Sequence, residues 1–138
     1  MKAKLRGVDL INVTVNGKKI SLDGGGSVLD AINLSGTPIS QLCKDPDMKP
    51  IGACRTCLVK IGGVKGFPAS CSTPASDGMD IITDSDDVEG LRNTVLELTA
   101  AMTPDIADQN SQNSSEFSKL LHRSNINKSK WDVRTREP

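Results

Sequence analysis

Aromatic residues and an excess of one charge are the features that this sequence most clearly lacks. Its 138 residues include one Trp, two Phe and no Tyr, and 17 basic residues balance 17 acidic ones. Nucleic-acid-binding proteins normally present a basic surface and aromatic side chains that stack on bases. The composition therefore argues against a nucleic-acid partner, and it requires a core built from aliphatic side chains.

Long apolar runs are also missing. No stretch approaches the roughly 20 apolar residues that cross a bilayer, and the basic start of the chain does not lead into the apolar segment of a signal peptide. We therefore expect no membrane span and a cytoplasmic location, where thiols stay reduced. The sequence also shows no paired carboxylates, no nucleophile with a base and no G-x-G-x-x-G loop, so it predicts no catalytic site of its own.

The first third of the chain has the pattern of a β-hairpin followed by a helix. Residues 8–15, VDLINVTV, alternate apolar and polar side chains, Asn16–Gly17 is a strong hairpin turn signal, and KKISL returns as the second strand. Ser27 and Asp30 have the spacing of a helix capping box, and Gly36 ends the helix. This order predicts an α+β fold of the β-grasp type.

The remainder predicts a second hairpin, a strand, a helix and a tail. LVKIGG and VKGFPAS form the hairpin across Gly62–Gly63, GMDIIT is a short strand, and Ser85 caps a helix over SDDVEGLRNTVLELTAAM. We expect the apolar stripe of that helix to face the core; its members are Val88, Leu91, Val95, Leu98 and Met102. We place a domain over residues 1–103 and a polar to basic tail over 104–138, ordered only with a partner.

The four cysteines fall close together, in a region without periodicity. They are Cys43, Cys54, Cys57 and Cys71, with the spacing C-x10-C-x2-C-x13-C. A structural zinc site usually uses two C-x2-C pairs, and a redox C-x2-C opens a helix, whereas this one leads into a strand. Four thiolates on a loop suit a 2Fe-2S cluster best. The small residues Gly52, Ala53 and Thr56 allow backbone N–H groups to approach the sulfides, and Arg55 is either a stabilising cation or a solvated charge. Zinc and redox thiols remain the alternatives at this point.

Four segments carry a resemblance to a known family: PISQLC, GACRTCLVKIGG, ASCSTPASDGMDIITDS and VEGLRNTVLELTAAM. Over roughly residues 8–103 the chain resembles the N-terminal ferredoxin domain of the large iron–sulfur subunit of NADH–quinone oxidoreductase, respiratory complex I. Related domains occur in NAD-linked and electron-bifurcating hydrogenases and in NAD-linked formate dehydrogenases. The resemblance implies a β-grasp fold and one 2Fe-2S cluster; its implied ligands are Cys43, Cys54, Cys57 and Cys71.

The resemblance also implies a function. It predicts one-electron transfer by a small subunit of an NAD(P)-linked redox complex, with larger partners: a flavin- and NAD-binding diaphorase subunit and a hydrogenase or formate dehydrogenase subunit. The basic tail favours a fixed subunit, with Trp131 as an anchor on the partner. The alternatives are a soluble 2Fe-2S ferredoxin and a zinc-stabilised structural or interaction module.

The chain departs from the family after its last predicted helix. Family members continue with a His-x3-Cys-x2-Cys-x5-Cys stretch that binds a 4Fe-4S cluster. The corresponding positions here are Thr103, Ala107, Asn110 and Glu116, none of which carries a thiol or an imidazole. The sequence therefore predicts that this chain lacks the 4Fe-4S site, and that His122 is a surface residue.

Overall fold

The computed structural model describes residues 4–5, 8–102 and 116–126. Within them the chain forms five strands and three helices in the order β1 (Lys4–Leu5), β2 (Val8–Val15), β3 (Lys18–Asp23), α1 (Val28–Ser35), β4 (Lys60–Ile61), β5 (Asp80–Ile82), α2 (Asp86–Ala101) and α3 (Glu116–Arg123). The contacts divide the chain into two compact units, residues 1–89 and 90–138.

The predicted hairpin is confirmed as β2 and β3. Their antiparallel register places Val13 opposite Ile20 and runs to the turn at Asn16 and Gly17. Both turn residues have positive φ, 48° and 83°, which is the backbone that a tight two-residue hairpin turn requires and that Asn and Gly tolerate best. Because apolar and polar side chains alternate along these strands, the apolar face of the hairpin packs into the core.

The sheet is mixed. The central strand β2 pairs antiparallel with β1 and with β3, and in parallel with β5. β4 pairs antiparallel with β5. A parallel pair needs a long crossover, and α1 lies within it, so the α+β fold of the β-grasp type is confirmed.

Helix α1 has the predicted ends. The Ser27 hydroxyl accepts from the Asp30 N–H, and the Asp30 carboxylate accepts from the Ser27 N–H, which completes a capping box. Gly36 closes the helix in a left-handed conformation, with a φ of 76°. The helix and the sheet enclose an aliphatic core: Ile11, Val13, Val15, Ile20, Leu22, Val28, Ala31, Ile32, Val59, Ile61, Ala75 and Ile81.

The second predicted hairpin is present only in part. A turn at Gly62–Gly63 is closed by the Val64 N–H donating to the Ile61 carbonyl. The returning segment, however, forms only an isolated bridge between Leu58 and Ala69, and β4 pairs instead with β5. Pro68 in the returning segment has no N–H, which limits ladder formation.

The stripe predicted for α2 is wrong in part. Leu98 and Met102 are exposed, at 42% and 73% of their surface, whereas Leu96 and Ala100 are buried. The buried positions Leu96 and Ala100 are four residues apart and lie on a different face of the helix from Leu98 and Met102. Val88 is buried as predicted, and the Glu89 N–H donates to the Ser85 carbonyl, which places Ser85 at the start of the helix.

Residues 116–126 contain α3, inside the segment predicted to be a tail. Leu120 and Leu121 in this helix are buried. The predicted boundary between 103 and 104 lies outside the described residues, as does Trp131, so both stay predictions. Among the described residues no helix has both the length and the apolar character of a membrane span.

Candidate metal centre

All four cysteines lie in described segments, and none forms a disulfide. Cys57 and Cys71 are almost fully buried, with 2% and 5% of their surface exposed, while Cys43 and Cys54 are half-buried. The thiols interact with one another: Cys54 with Cys43, and Cys71 with Cys57 and, through its charge, with Cys43. The structure thus brings together the four residues singled out by their spacing.

The two pairs differ in their electrostatics. The pKa of Cys71 is raised to about 11, chiefly by burial and then by its hydrogen bond with Cys57 and its charge interactions with Cys57 and Cys43, against a lowering contribution from the Gly52 N–H. Burial also acts to raise the pKa of Cys54, but hydrogen bonds with Thr56 and Cys43 outweigh it and leave that pKa below its usual value. A nearby positive centre would stabilise Cys71 as a thiolate by opposing the effect of burial.

Helix α1 anchors the turn that carries Cys71. The first two N–H groups of a helix have no partner within it. Here the Val28 N–H donates to the Thr73 carbonyl at 2.9 Å, and the Leu29 N–H donates to the Ser70 carbonyl at 3.0 Å. The capped end of α1 therefore fixes the backbone on both sides of Cys71.

The same helix anchors the loop that carries Cys43. Gln41 and Asn33 exchange side-chain amide hydrogen bonds of 2.8 and 3.3 Å. Lys44, on the other side of Cys43, forms an ion pair with Asp30 at 3.5 Å. One element, α1, therefore positions two of the four cysteines that are far apart in sequence.

The turn from Gly52 to Cys57 has two residues with left-handed backbone. Gly52 has a φ of 64° and Arg55 a φ of 56°, an uncommon conformation for a residue with a side chain. Turns with such residues direct successive N–H groups to one side and form anion-binding concavities, as at many iron–sulfur sites. The Gly52 N–H already donates to the Cys71 sulfur. The Arg55 side chain is exposed, which leaves both of its predicted roles open.

Two buried hydroxyl groups support the cysteines, and the sequence reasoning missed both. The Thr56 hydroxyl lies 3.2 Å from the Cys54 sulfur, and the Ser70 hydroxyl donates to the Cys57 carbonyl at 2.7 Å. Both side chains are fully buried. In the sequence, Thr56 was noted only for its small size. The signal that could have identified both hydroxyl groups is that Thr56 and Ser70 each directly precede a cysteine.

Four cysteine thiols are a donor set that a 2Fe-2S cluster can use. In the part of the chain that the structure describes, no three Cys, His, Asp or Glu side chains converge closely enough to hold a single metal ion. A 2Fe-2S cluster distributes four thiolates as two pairs over two irons. The pairs Cys43–Cys54 and Cys57–Cys71 have that arrangement, and the N–H groups of the turn suit an anionic cluster.

One of the four positions that correspond to the ligands of a second cluster lies among the described residues. Glu116 is the first residue of α3, while Thr103, Ala107 and Asn110 lie outside the described residues. His122 is exposed on α3, as expected for a surface residue.

Comparison with known proteins identifies a domain over the same region. The model of a family described as the 2Fe-2S iron-sulfur cluster binding domain matches residues 9–86. This range covers more than half of the chain and includes all four cysteines.

Curated relatives and one solved structure show similar proteins. The NADPH-Fe(3+) oxidoreductase subunit alpha of Geobacter sulfurreducens is 35% identical over 95 residues, which are 69% of this chain and 11% of that protein. The mitochondrial 78 kDa subunit of NADH-ubiquinone oxidoreductase of Candida albicans is 35% identical over 88 residues, 64% of this chain and 12% of that protein. The chain thus spans about a tenth of the length of these relatives.

A structure of an NAD+-reducing NiFe hydrogenase in its H2-reduced state superimposes with a TM-score of 0.80 at 26% identity. The alignment covers 93% of this chain and 54% of the hydrogenase chain. The likeness therefore extends over nearly the whole chain, beyond the region matched by the domain model.

Proposed function

Because the chain belongs to the family of 2Fe-2S iron-sulfur cluster binding domains, we propose that it relays single electrons as a subunit of a larger NAD(P)-linked redox complex. The proposed ligands of the cluster are Cys43, Cys54, Cys57 and Cys71. The observation that carries the assignment is that four thiols far apart in sequence interact with one another, Cys54 with Cys43 and Cys71 with both Cys57 and Cys43. In this proposal each pair holds one of the two irons.

The bound cluster supplies one-electron chemistry, and the chain supplies its environment. Cys57 and Cys71 are shielded from water, whereas Cys43 and Cys54 are half-exposed. The side of the site formed by Cys43 and Cys54 is therefore the one that a partner can approach most closely. Electrons enter and leave on that side.

The loop between Cys43 and Cys54 has the character of a docking surface. Met48 and Ile51 expose 67% and 76% of their surface, although large apolar side chains usually avoid water. Both lie in the chain segment that joins the two half-exposed cysteines. We refer to this pair as the apolar rim, and it supports contact with a partner that carries a redox centre.

The names of the relatives guide the choice of partners. They are subunits of NADPH- and NADH-linked oxidoreductases, and the structural neighbour is an NAD+-reducing hydrogenase. Partners of the proposed kind are a flavin- and NAD-binding diaphorase subunit and a hydrogenase or formate dehydrogenase subunit. A cytoplasmic location agrees with this role, since reduced thiols are needed to assemble the cluster.

The ligand assignment is tested by single Cys→Ser variants purified without oxygen. We expect the unaltered chain to contain about two irons and no zinc, and to give a 2Fe-2S EPR signal after dithionite reduction. Cys57→Ser loses or greatly alters the cluster and destabilises residues 37–75, because metal binding contributes to the stability of the segment that carries the ligands. Ser72→Ala, at an exposed position beside Cys71, is the matched control and keeps the signal. A Cys57→Ser protein with unchanged iron, spectrum and stability contradicts the assignment.

The relay role is tested by co-purification from the native host and by electron transfer to the co-purified subunits. In the apolar rim, Met48→Glu and Ile51→Glu lower the rate of transfer while the cluster content stays constant. Val64→Glu is the matched control, because Val64 is an exposed apolar residue on the separate turn at Gly62–Gly63. A chain that purifies alone and exchanges electrons equally well in all variants is instead a soluble ferredoxin.

A further inference from the structure

The hydroxyl of Thr56 occupies an unusual place between two of the cysteine-bearing loops. Its oxygen lies 3.2 Å from the Cys54 sulfur and accepts a hydrogen bond of 3.5 Å from the Leu42 N–H. Leu42 directly precedes Cys43, so this one hydroxyl links the Cys54 sulfur to the backbone beside Cys43. The side chain is fully buried, which removes water as an alternative partner.

The direction of the hydrogen bond follows from the donors present. A threonine hydroxyl has one proton and two lone pairs. The Leu42 N–H occupies a lone pair of the oxygen, so the proton is available to the sulfur. Once Cys54 binds a metal it is a thiolate without a proton, and it can only accept.

We propose that Thr56 donates a hydrogen bond to the Cys54 thiolate and thereby raises the reduction potential of the cluster. This inference rests on the proposed function, since it takes Cys54 as a ligand. Hydrogen bonds to the sulfurs are one of the factors that set the potential of iron–sulfur sites. One-electron reduction adds negative charge to the cluster and its thiolates, and a donor stabilises the more negative state more strongly.

The same hydroxyl positions the ligands. By accepting from the Leu42 N–H it ties the backbone beside Cys43 to the turn that carries Cys54. Ser70 supplies the corresponding tie for the other pair, but it donates to the Cys57 carbonyl and not to a sulfur. Of these two buried hydroxyl groups, Thr56 is therefore the one with a direct effect on the charge of a ligand.

The test is a redox titration, with dithionite as the electron donor, followed by EPR on the intact chain. Thr56→Val keeps the shape of the side chain and removes the hydroxyl. We expect the ratio of reduced to oxidised cluster at a fixed applied potential to fall about fivefold, a shift of ~40 mV to more negative potential. Thr56→Ser retains the hydroxyl and restores the potential of the unaltered chain.

Thr83→Val is the matched control. Thr83 is also buried, and its hydroxyl accepts from the Asn16 side chain at 2.8 Å. This variant loses stability without a shift in potential. If Thr56→Val fails to bind iron, Thr56→Ala removes the hydroxyl with less steric demand and takes its place.

The outcomes separate this inference from the ligand assignment. An unchanged potential in Thr56→Val, or a shift in Thr56→Ser as large as that in Thr56→Val, overturns the role of the hydroxyl while the cluster and its ligands stand. A chain that binds no 2Fe-2S cluster in its unaltered form overturns the ligand assignment first, and the role of Thr56 with it.

Discussion

The capped start of α1 should control how firmly the cysteine loops are held. Ser27→Ala removes the hydroxyl that accepts from the Asp30 N–H at 3.1 Å and donates to the Asp30 carboxylate at 2.9 Å. Loss of a serine cap costs about 1–2 kcal/mol of unfolding free energy. For a domain of this size, each kcal/mol lowers the melting temperature by about 4–8 °C.

The consequence reaches the metal centre because of what the first turn of α1 binds. Its N–H groups, from Val28 and Leu29, donate to the carbonyls of Thr73 and Ser70 on either side of Cys71. Fraying of the first turn loosens that backbone. We therefore expect Ser27→Ala to lose its cluster faster than the unaltered chain when it is challenged with an iron chelator.

The assay combines thermal unfolding under anaerobic conditions with the rate of bleaching in the chelator. Ser27→Thr keeps the cap and should behave as the unaltered chain does. Ser21→Ala is the control for a surface serine, because Ser21 is exposed and its hydroxyl donates to the Asn12 side chain of the hairpin. If Ser27→Ala changes stability and bleaching no more than Ser21→Ala, α1 does not anchor the Cys71 turn.

Three further predictions concern other parts of the same region. Gly52→Ala lowers the unfolding free energy by about 1–2 kcal/mol, because the left-handed backbone at a φ of 64° is strained for any residue with a Cβ. Asn16→Ala costs about 1–2 kcal/mol in denaturant unfolding, because it removes two side-chain hydrogen bonds of 2.8 Å to Thr83. Asp30→Asn differs from the unaltered chain in a pH-dependent way. Burial acts to raise the pKa of Asp30, but hydrogen bonds from Ser27 and the charge of Lys44 outweigh it and hold the pKa below 3.8. The ionised Asp30 carboxylate therefore stabilises the fold at pH values above 3.8, and this stabilisation is lost as the pH falls through the pKa of Asp30 in the folded chain.

Each of these has a control and a contrary result. Gly66→Ala carries similar backbone strain in open space, so a larger loss at Gly52 measures the crowding against the Ser72 hydroxyl, 3.1 Å from the added carbon. Asn16→Gly keeps the turn backbone and should still lose both bonds; full stability in that variant argues against the link to Thr83. A stability difference for Asp30→Asn that stays constant through acid pH shows that the charge of Asp30 is not involved.

Local signals predicted the elements that depend on local chemistry. The Asn16–Gly17 turn, the Ser27–Asp30 capping box and the Gly36 helix end each place a residue where its backbone or side chain is specifically needed. Such requirements are visible in a short stretch of sequence, and the structure places all three as predicted. The spacing of the cysteines was similarly informative, because ligand residues are rare and their clustering is easily seen.

Contacts between distant residues were harder to predict. The parallel pairing of β2 with β5 joins residues such as Thr14 and Asp80, and no local pattern encodes it. The exposure of Leu98 and Met102 was also missed, because apolar periodicity along α2 did not distinguish them from the buried Leu96 and Ala100. The role of the Thr56 hydroxyl also arises only when Leu42 and Cys54 are brought together in space.

The most direct test of the account is Mössbauer spectroscopy of the anaerobically purified chain, assembled with isotopically enriched iron. If the four cysteines hold one 2Fe-2S cluster, the oxidised protein shows two ferric sites of equal area, each in a four-sulfur environment and coupled to a diamagnetic ground state. A single iron site, a four-iron spectrum, or a protein that contains zinc and no iron contradicts the central claim.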